Sequence, residues 1–276
     1  MTDLSLVRSV LFAPAGEERK LRKALASGAD AVVADLEDAT PPGERAAARA
    51  VVEAVWADGQ SRAGRGLRVN AAGSEWFDDD LALSRRLMLD FLMLPKATPE
   101  AVEALGADGP PVLAIVETAD GLRRAYDMAA APRVFAVALG SHDLGAELQT
   151  TSRADGLELL YARSRLVADS AAARLRAPFD TVFLDFHDPT GLEHEARLAR
   201  TLGFGGKLCI HPGQLDVVND VFAPSDAELE WARRVVDAHA AGLREGRGVV
   251  ALDGRMIDTP VVRRAERLLA LARLRE

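Results

Sequence analysis

"VFAVALGSHDLG", residues 134–145, begins as one kind of structure and ends as another. Val134–Leu139 is an unbroken apolar run of strand length, the pattern of a strand buried on both faces. Gly140 follows, and then Ser141, His142 and Asp143. A carboxylate at the mouth of a buried strand is costly unless a cation or a hydrogen-bond donor meets it there. Outward from this stretch, comparable runs recur at 9–12, 31–34, 67–69, 91–94, 112–116, 181–184 and 208–210, which makes eight in all. Each is followed by polar residues and then by helix chemistry. Thr40 precedes two prolines and an alanine-rich run to Trp56, and Ser225-Asp226 opens a stretch with apolar residues at helical spacing. Eight strand–helix units without a low-complexity linker predict a single α/β domain, a closed (β/α)8 TIM barrel, over residues 1–245. A doubly wound open sheet is the competitor, but eight strands of similarly buried character favour closure.

The chain continues beyond the eighth unit. Residues 246–276 read as a glycine hinge at Gly246 and Gly248, a short strand, a turn at Asp253-Gly254 and an amphipathic helix from about Thr259-Pro260. A barrel does not need this segment for closure, so it is expected to form a C-terminal lid or arm. Its helix carries Val261, Val262, Leu268, Leu269 and Leu271, apolar surface that must be covered by this chain or by a neighbour. A homo-oligomer, trimer or hexamer, is the expected assembly.

Composition limits the function. The 276 residues carry 34 basic and 42 acidic side chains, a formal net charge of −8, which disfavours a nucleic-acid or anionic-membrane surface. One cysteine, Cys209, excludes an internal disulfide and makes a reducing cytoplasm the expected location. No 18-residue apolar run is present, and "MTDLSLVRS" lacks the apolar stretch of a signal peptide.

Chemistry in a barrel sits at the C-terminal strand ends. There the sequence places Asp35, Glu37 and Asp38, then Arg68 and Asn70, Lys96, Glu117, Asp143, Asp185 with His187, and His211. Glu117 and Asp143 follow adjacent strands and would converge on one rim. Two such carboxylates repel unless a cation separates them, and a hard ion such as Mg2+, with Mn2+ as a substitute, suits them. The residues allow plainer roles too. The "DLED" stretch could favour a helix N-terminus, Arg68 could be its structural partner, and Lys96 could be an ion-pair partner or a Schiff-base amine. His187 and His211 could pack or cap, Asp185 could brace the rim, and Cys209 could be core.

Eight segments carry a family resemblance: "RSVLFAPAG", "SGADAVVADLEDATPPGERAAARA", "LRVNAAGSEWFDDDL", "FLMLPKATPE", "AIVETADGL", "VALGSHDLGAEL", "TVFLDFHDPTGL" and "LGFGGKLCIHPGQLDVVNDVFAPS". In this order they resemble the HpcH/HpaI aldolase–citrate lyase superfamily, specifically its citrate lyase β-subunit-like (CitE-like) members. The resemblance implies that Arg68 binds an oxo-acid carboxylate, that Glu117 and Asp143 bind Mg2+, and that Glu37 and Asp38 join the polar network. It implies that Asp258 of "MIDTP" acts over a neighbouring subunit's site. The implied reaction is cleavage or formation of a 3-hydroxyacyl-CoA thioester, giving a 2-oxo acid (oxaloacetate, glyoxylate or pyruvate) and an acyl-CoA. Alternatives within the same resemblance are an HpaI-type aldolase producing pyruvate without coenzyme A, and a β-subunit dependent on a citrate lyase complex. Two departures stand out. Members commonly show "VPGDRPE" where this chain has "APAGEER", so Ala15 and Glu17 replace a glycine and an arginine in a region that helps hold coenzyme A. Arg19 and Lys23 are the remaining nearby cations, and Lys23 is the implied cofactor contact. His142 stands where many members have Glu.

Overall fold

The computed structural model describes residues 2–58, 61–153 and 155–273. Eight parallel strands close into a barrel in sequence order: β1 Ser9–Pro14, β2 Ala31–Asp35, β3 Gly64–Arg68, β4 Phe91–Leu94, β5 Val112–Val116, β6 Val134–Leu139, β7 Phe179–Asp180 and β8 Gly206–Cys209. The seam is made by β1 and β8, with Ser9 opposite Lys207. Helices follow the strands in the (β/α)8 arrangement.

Successive side chains on a strand point to opposite faces, and here both faces are apolar. Ala31 and Val33, Leu113 and Ile115, Ala136 and Ala138, with Phe91, Met93, Phe179 and Leu208, form the packed barrel interior. Val32 and Ala34, Val112 and Ala114, Val137 and Leu139 belong instead to the layer shared with the helices. Extending this alternation by one step aims Asp35, Arg68, Glu117 and Thr181 inward at the barrel's C-terminal mouth.

The structure departs from the sequence expectation most clearly at the seventh strand and in the C-terminal segment. The seventh strand is Phe179–Asp180, not 181–184. Its buried aspartate interrupts the apolar signal, whereas Leu184, which carries that signal, is exposed. The C-terminal segment holds two strands, β9 Val250–Leu252 and β10 Arg255–Ile257, paired antiparallel. Asp253 (φ 51°) and Gly254 (φ 73°) turn the chain between them, the doubly left-handed pattern of a two-residue hairpin loop. The second strand leaves no continuous apolar run in the sequence, because Arg255 and Met256 are exposed.

The compact units divide at Phe222/Ala223, not at 245/246, so the helix Asp226–Arg244 groups with the C-terminal segment. Within this unit Ala232 and Val235 pack with Ile257, Val262 and Ala265, flanked by Val261, Leu268 and Leu269. The last helix, Thr259–Arg273, thus finds cover inside its own unit, and its apolar stripe does not by itself require a second chain.

Candidate metal and substrate site

The end of β2 is built around Asp35. Its carboxylate accepts the backbone N–H groups of Glu37 (3.0 Å) and Ala39 (3.1 Å), folding the "DLED" stretch back on itself. It also accepts both prongs of the Arg68 guanidinium from β3, Nε at 2.7 Å and Nη2 at 2.6 Å. Arg68 Nη1 then faces Glu37 Oε2 (3.0 Å) and Asp38 Oδ2 (3.2 Å), and Phe12 lies beneath the guanidinium at 4.9 Å. The two-pronged face expected for a substrate carboxylate is therefore occupied by Asp35, and the Nη1 edge is the part turned toward Glu37 and Asp38. Burial works against the charge on Arg68, but the carboxylates of Asp35, Glu37 and Asp38 outweigh it and hold the pKa above its usual value. Asn70 braces the same loop by donating to the Leu36 carbonyl (3.1 Å) and to the buried Asp80 (2.7 Å).

Lys96 ties β2, β4 and β5 together. Its Nζ donates to Glu37 Oε1 at 2.7 Å and its backbone N–H donates to Glu117 Oε1 at 2.7 Å, from a left-handed backbone (φ 46°). Burial pulls the Lys96 pKa down, but the Glu37 hydrogen bond and nearby carboxylates leave it above the ordinary value. The ammonium form is favoured, which suits the ion-pair role and not the Schiff-base role.

Glu117 and Asp143 meet at the mouth. Glu117 is 4 % exposed, and burial pushes its carboxyl up to about 7. The Lys96 N–H opposes that shift, while the charges of Glu37 and Asp143 reinforce it. Gly140 creates the space, because a Cβ there would stand 2.5 Å from Glu117 Cβ and Oε2. Asp143 is exposed in the first turn of the helix Ser141–Leu148. Glu37 is raised by burial as well, Arg68 and Lys96 notwithstanding. The mouth thus holds more negative charge than its own cations compensate. No three His, Cys, Asp or Glu side chains cluster in a metal-holding arrangement among the described residues. Two carboxylates with further positions for water and ligand oxygens match the donor set of Mg2+.

These groups border a cavity of about 420 Å³. Its lining combines the polar residues Asp35, Arg68, Glu117, His142 and Asp143 with apolar ones, among them Phe12, Val182, Leu184, Leu208 and Ile210. A wider depression of about 1300 Å³ lies near the opposite strand ends, beside Asp90 and Pro110. Its arginines are partly spent on structure, Arg65 on the Trp56 carbonyl and Arg86 on Glu53, so the smaller cavity is the stronger site.

The other expected residues fall elsewhere. Lys23 is exposed in the last turn of the helix Glu18–Leu25 and does not border the cavity. Asp185 accepts the His187 N–H (2.9 Å), and His211 Nδ1 accepts the Gly213 N–H (3.0 Å), so one brings order to a loop and the other caps a helical turn. His187 and His211 both lie against Phe186. Cys209 is fully buried, its thiol pushed up to about 12, and is inert core. In the C-terminal unit Asp258 Oδ1 accepts the Val261 N–H (3.3 Å) and caps the last helix. Thr181 and Ser141, which touch at the mouth, were missed because forty residues separate them in the chain.

Comparison with known proteins supplies the lineage. A family model described as HpcH/HpaI aldolase/citrate lyase matches residues 8–212. A (3S)-malyl-CoA thioesterase from Cereibacter sphaeroides is 37% identical over 270 residues, covering 96% of this chain and 94% of that protein. The citrate lyase subunit beta of Escherichia coli is 36% identical, with 97% and 93% covered. Among solved structures, CitE from Mycobacterium tuberculosis in complex with magnesium, acetoacetate and coenzyme A superposes with a TM-score of 0.84, at 36% identity and coverages of 98% and 99%. The match of the family model over most of the barrel and the full-length relatives agree, and the chain belongs to the HpcH/HpaI aldolase/citrate lyase family.

Proposed function

We propose that this protein is a Mg2+-dependent carbon–carbon lyase that cleaves or forms a 3-hydroxyacyl-CoA thioester, exchanging it for a 2-oxo acid and an acyl-CoA. The convergence of Glu117 and Asp143 on a cavity already short of positive charge carries this reading. Mg2+, or Mn2+ in its place, would be held by these two carboxylates and would supply Lewis-acid polarisation of the oxo acid's carbonyl. Magnesium in the solved CitE complex supports this assignment.

The chain's own groups have distinct tasks. Arg68, its guanidinium plane fixed by Asp35, is the proposed partner of the oxo-acid carboxylate, which would compete with Glu37 and Asp38 for Nη1. Glu37, bridged between Arg68 and Lys96, holds both cations in place and shapes the potential at the mouth. The apolar lining residues receive the substituents of the acyl chain and help exclude water from the enolate. In cleavage a carboxylate at the mouth takes the substrate hydroxyl's proton as the carbon–carbon bond breaks toward the thioester, and the enolate carbon takes up a proton in return. Asp258, in an assembled homo-oligomer, is the proposed donor of that proton.

Hydrolysis of the same thioester is a second reading, favoured by the thioesterase relatives. Incubating the protein with Mg2+ and a 3-hydroxyacyl-CoA separates the two. A lyase releases a 2-oxo acid without free thiol; a thioesterase releases the hydroxy acid with coenzyme A thiol. Calorimetry tests the metal site itself: Glu117→Gln and Asp143→Asn should each weaken Mg2+ binding, and parental affinity in both variants sinks the proposal.

A further inference from the structure

The helix Ser141–Leu148 carries Asp143 in its first turn, yet it begins without a side-chain cap. Its N-cap residue is Gly140, and no side chain fits there because Glu117 fills that space. A helix start leaves backbone N–H groups without intrahelical partners, and burying one unpaired is unfavourable. The missing acceptor comes from another strand. Thr181 Oγ1 accepts the Ser141 N–H at 3.2 Å and lies 2.7 Å from Ser141 Oγ, with both residues buried.

Thr181 is itself held firmly. It follows β7, which is only two residues long and pairs with β6 through a single position and with β8 through two. Sheet pairing is therefore a weak anchor here. Asp180, pointing the other way, supplies a stronger one. Its carboxylate accepts Arg163 Nε (2.9 Å) and Lys207 Nζ (2.9 Å), and Lys207 also reaches Glu195 (2.5 Å). Asp180, Lys207 and Arg163 are almost wholly excluded from water, so this cluster has few alternative arrangements. The cluster fixes the backbone at Asp180, and that fixes where the Thr181 hydroxyl can be.

We infer that Thr181 is a positioning residue for the metal site: it caps the helix in place of Gly140 and thereby sets the direction of Asp143. The small residue at 140 and the hydroxyl at 181 form one device, the first making room for Glu117 and the second replacing the cap that this room costs. This inference rests on the proposed role of Asp143 as a Mg2+ ligand. Groups that orient a ligand from behind typically contribute 10–100-fold to metal affinity.

The test is Mg2+ titration by calorimetry, with thermal unfolding measured in the same samples. Thr181→Val keeps the shape and removes the hydroxyl, and should weaken Mg2+ binding about tenfold or more. Thr181→Ser restores the hydroxyl and should bind within about threefold of the parent, since the capping bond returns. Leu166→Ala, a cavity variant in the helix Leu160–Ala172, should lower the unfolding temperature without changing Mg2+ affinity, which separates positioning from general stability. Parental affinity in Thr181→Val overturns the inference while leaving the metal site intact. So does an equal loss in Leu166→Ala. If the parent protein does not bind Mg2+, or Asp143→Asn binds as well as the parent, the metal-site reading fails and the inference with it.

Discussion

Replacing Glu117 with Gln should change how stability depends on pH in the metal-free protein. The buried Glu117 carboxyl titrates at about 7 in the folded chain against an ordinary 4.5. Its raised value means that the folded state holds a proton which the unfolded chain has already released. Stability from this group is complete below the unfolded pKa and is lost as pH rises through the folded one, so the fall lies between about pH 4.5 and pH 7. At 1.36 kcal/mol per unit, going from pH 5 to pH 8 removes about 2–3 kcal/mol. Gln presents a carbonyl oxygen to the same Lys96 N–H and has no charge to desolvate, so the variant should lack this component. Urea unfolding of parent and Glu117→Gln with chelator at both pH values gives the difference directly, and titrating groups away from the mouth cancel. Saturating Mg2+ should flatten the parent profile, because the ion takes over from the proton. Parallel pH profiles for the two chelated proteins would refute the argument.

Three further outcomes follow from the site. Gly140→Ala should cost about 1–3 kcal/mol of stability by overpacking and should also weaken Mg2+ binding, since the new methyl meets Glu117; denaturation and calorimetry report the two effects. Lys96 should give no adduct when pyruvate is added and the mixture is reduced with borohydride, because Glu37 keeps its amine protonated; an adduct seen by mass spectrometry would move the mechanism to an imine. Asp258→Asn should retain unfolding stability within a few tenths of a kcal/mol, since Asn caps as well as Asp, yet should lose exchange of the thioester's α-proton with solvent; parental exchange rates remove Asp258 from the chemistry.

The barrel was legible in the sequence because strands buried on both faces leave continuous apolar runs. The runs at 112–116 and 134–139 coincide with β5 and β6. Reading failed where an apolar residue served something other than the sheet. Val182 and Leu184 line the cavity wall, and the true strand carries a charged residue whose counter-ions come from 17 and 27 residues away. Glu117 and Asp143 could be named because strand ends are where a barrel places chemistry. The Arg68–Asp35 pairing could not, since nothing local distinguishes an arginine free for a ligand from one already held by a carboxylate 33 positions earlier. Inward alternation from Val33 to Asp35 was the available signal.

The seam between β1 and β8 has a bearing on how this chain is made. Ser9 must find Lys207, so the first strand leaves the ribosome long before its last partner exists. At roughly 5–20 residues per second, synthesis of the intervening chain takes about 10–40 s, during which β1 presents an unpaired edge. Val10 and Leu11, almost fully buried in the finished barrel, lack their β8 partners Leu208 and Cys209 through that interval. Lys207 then closes the seam while entering its ion cluster with Asp180 and Glu195, so barrel closure and burial of that ammonium occur as one late event. A nascent chain stalled before residue 206 would keep an adhesive strand open at its amino-terminal end, making this seam the point at which chaperone capture and edge-to-edge aggregation compete.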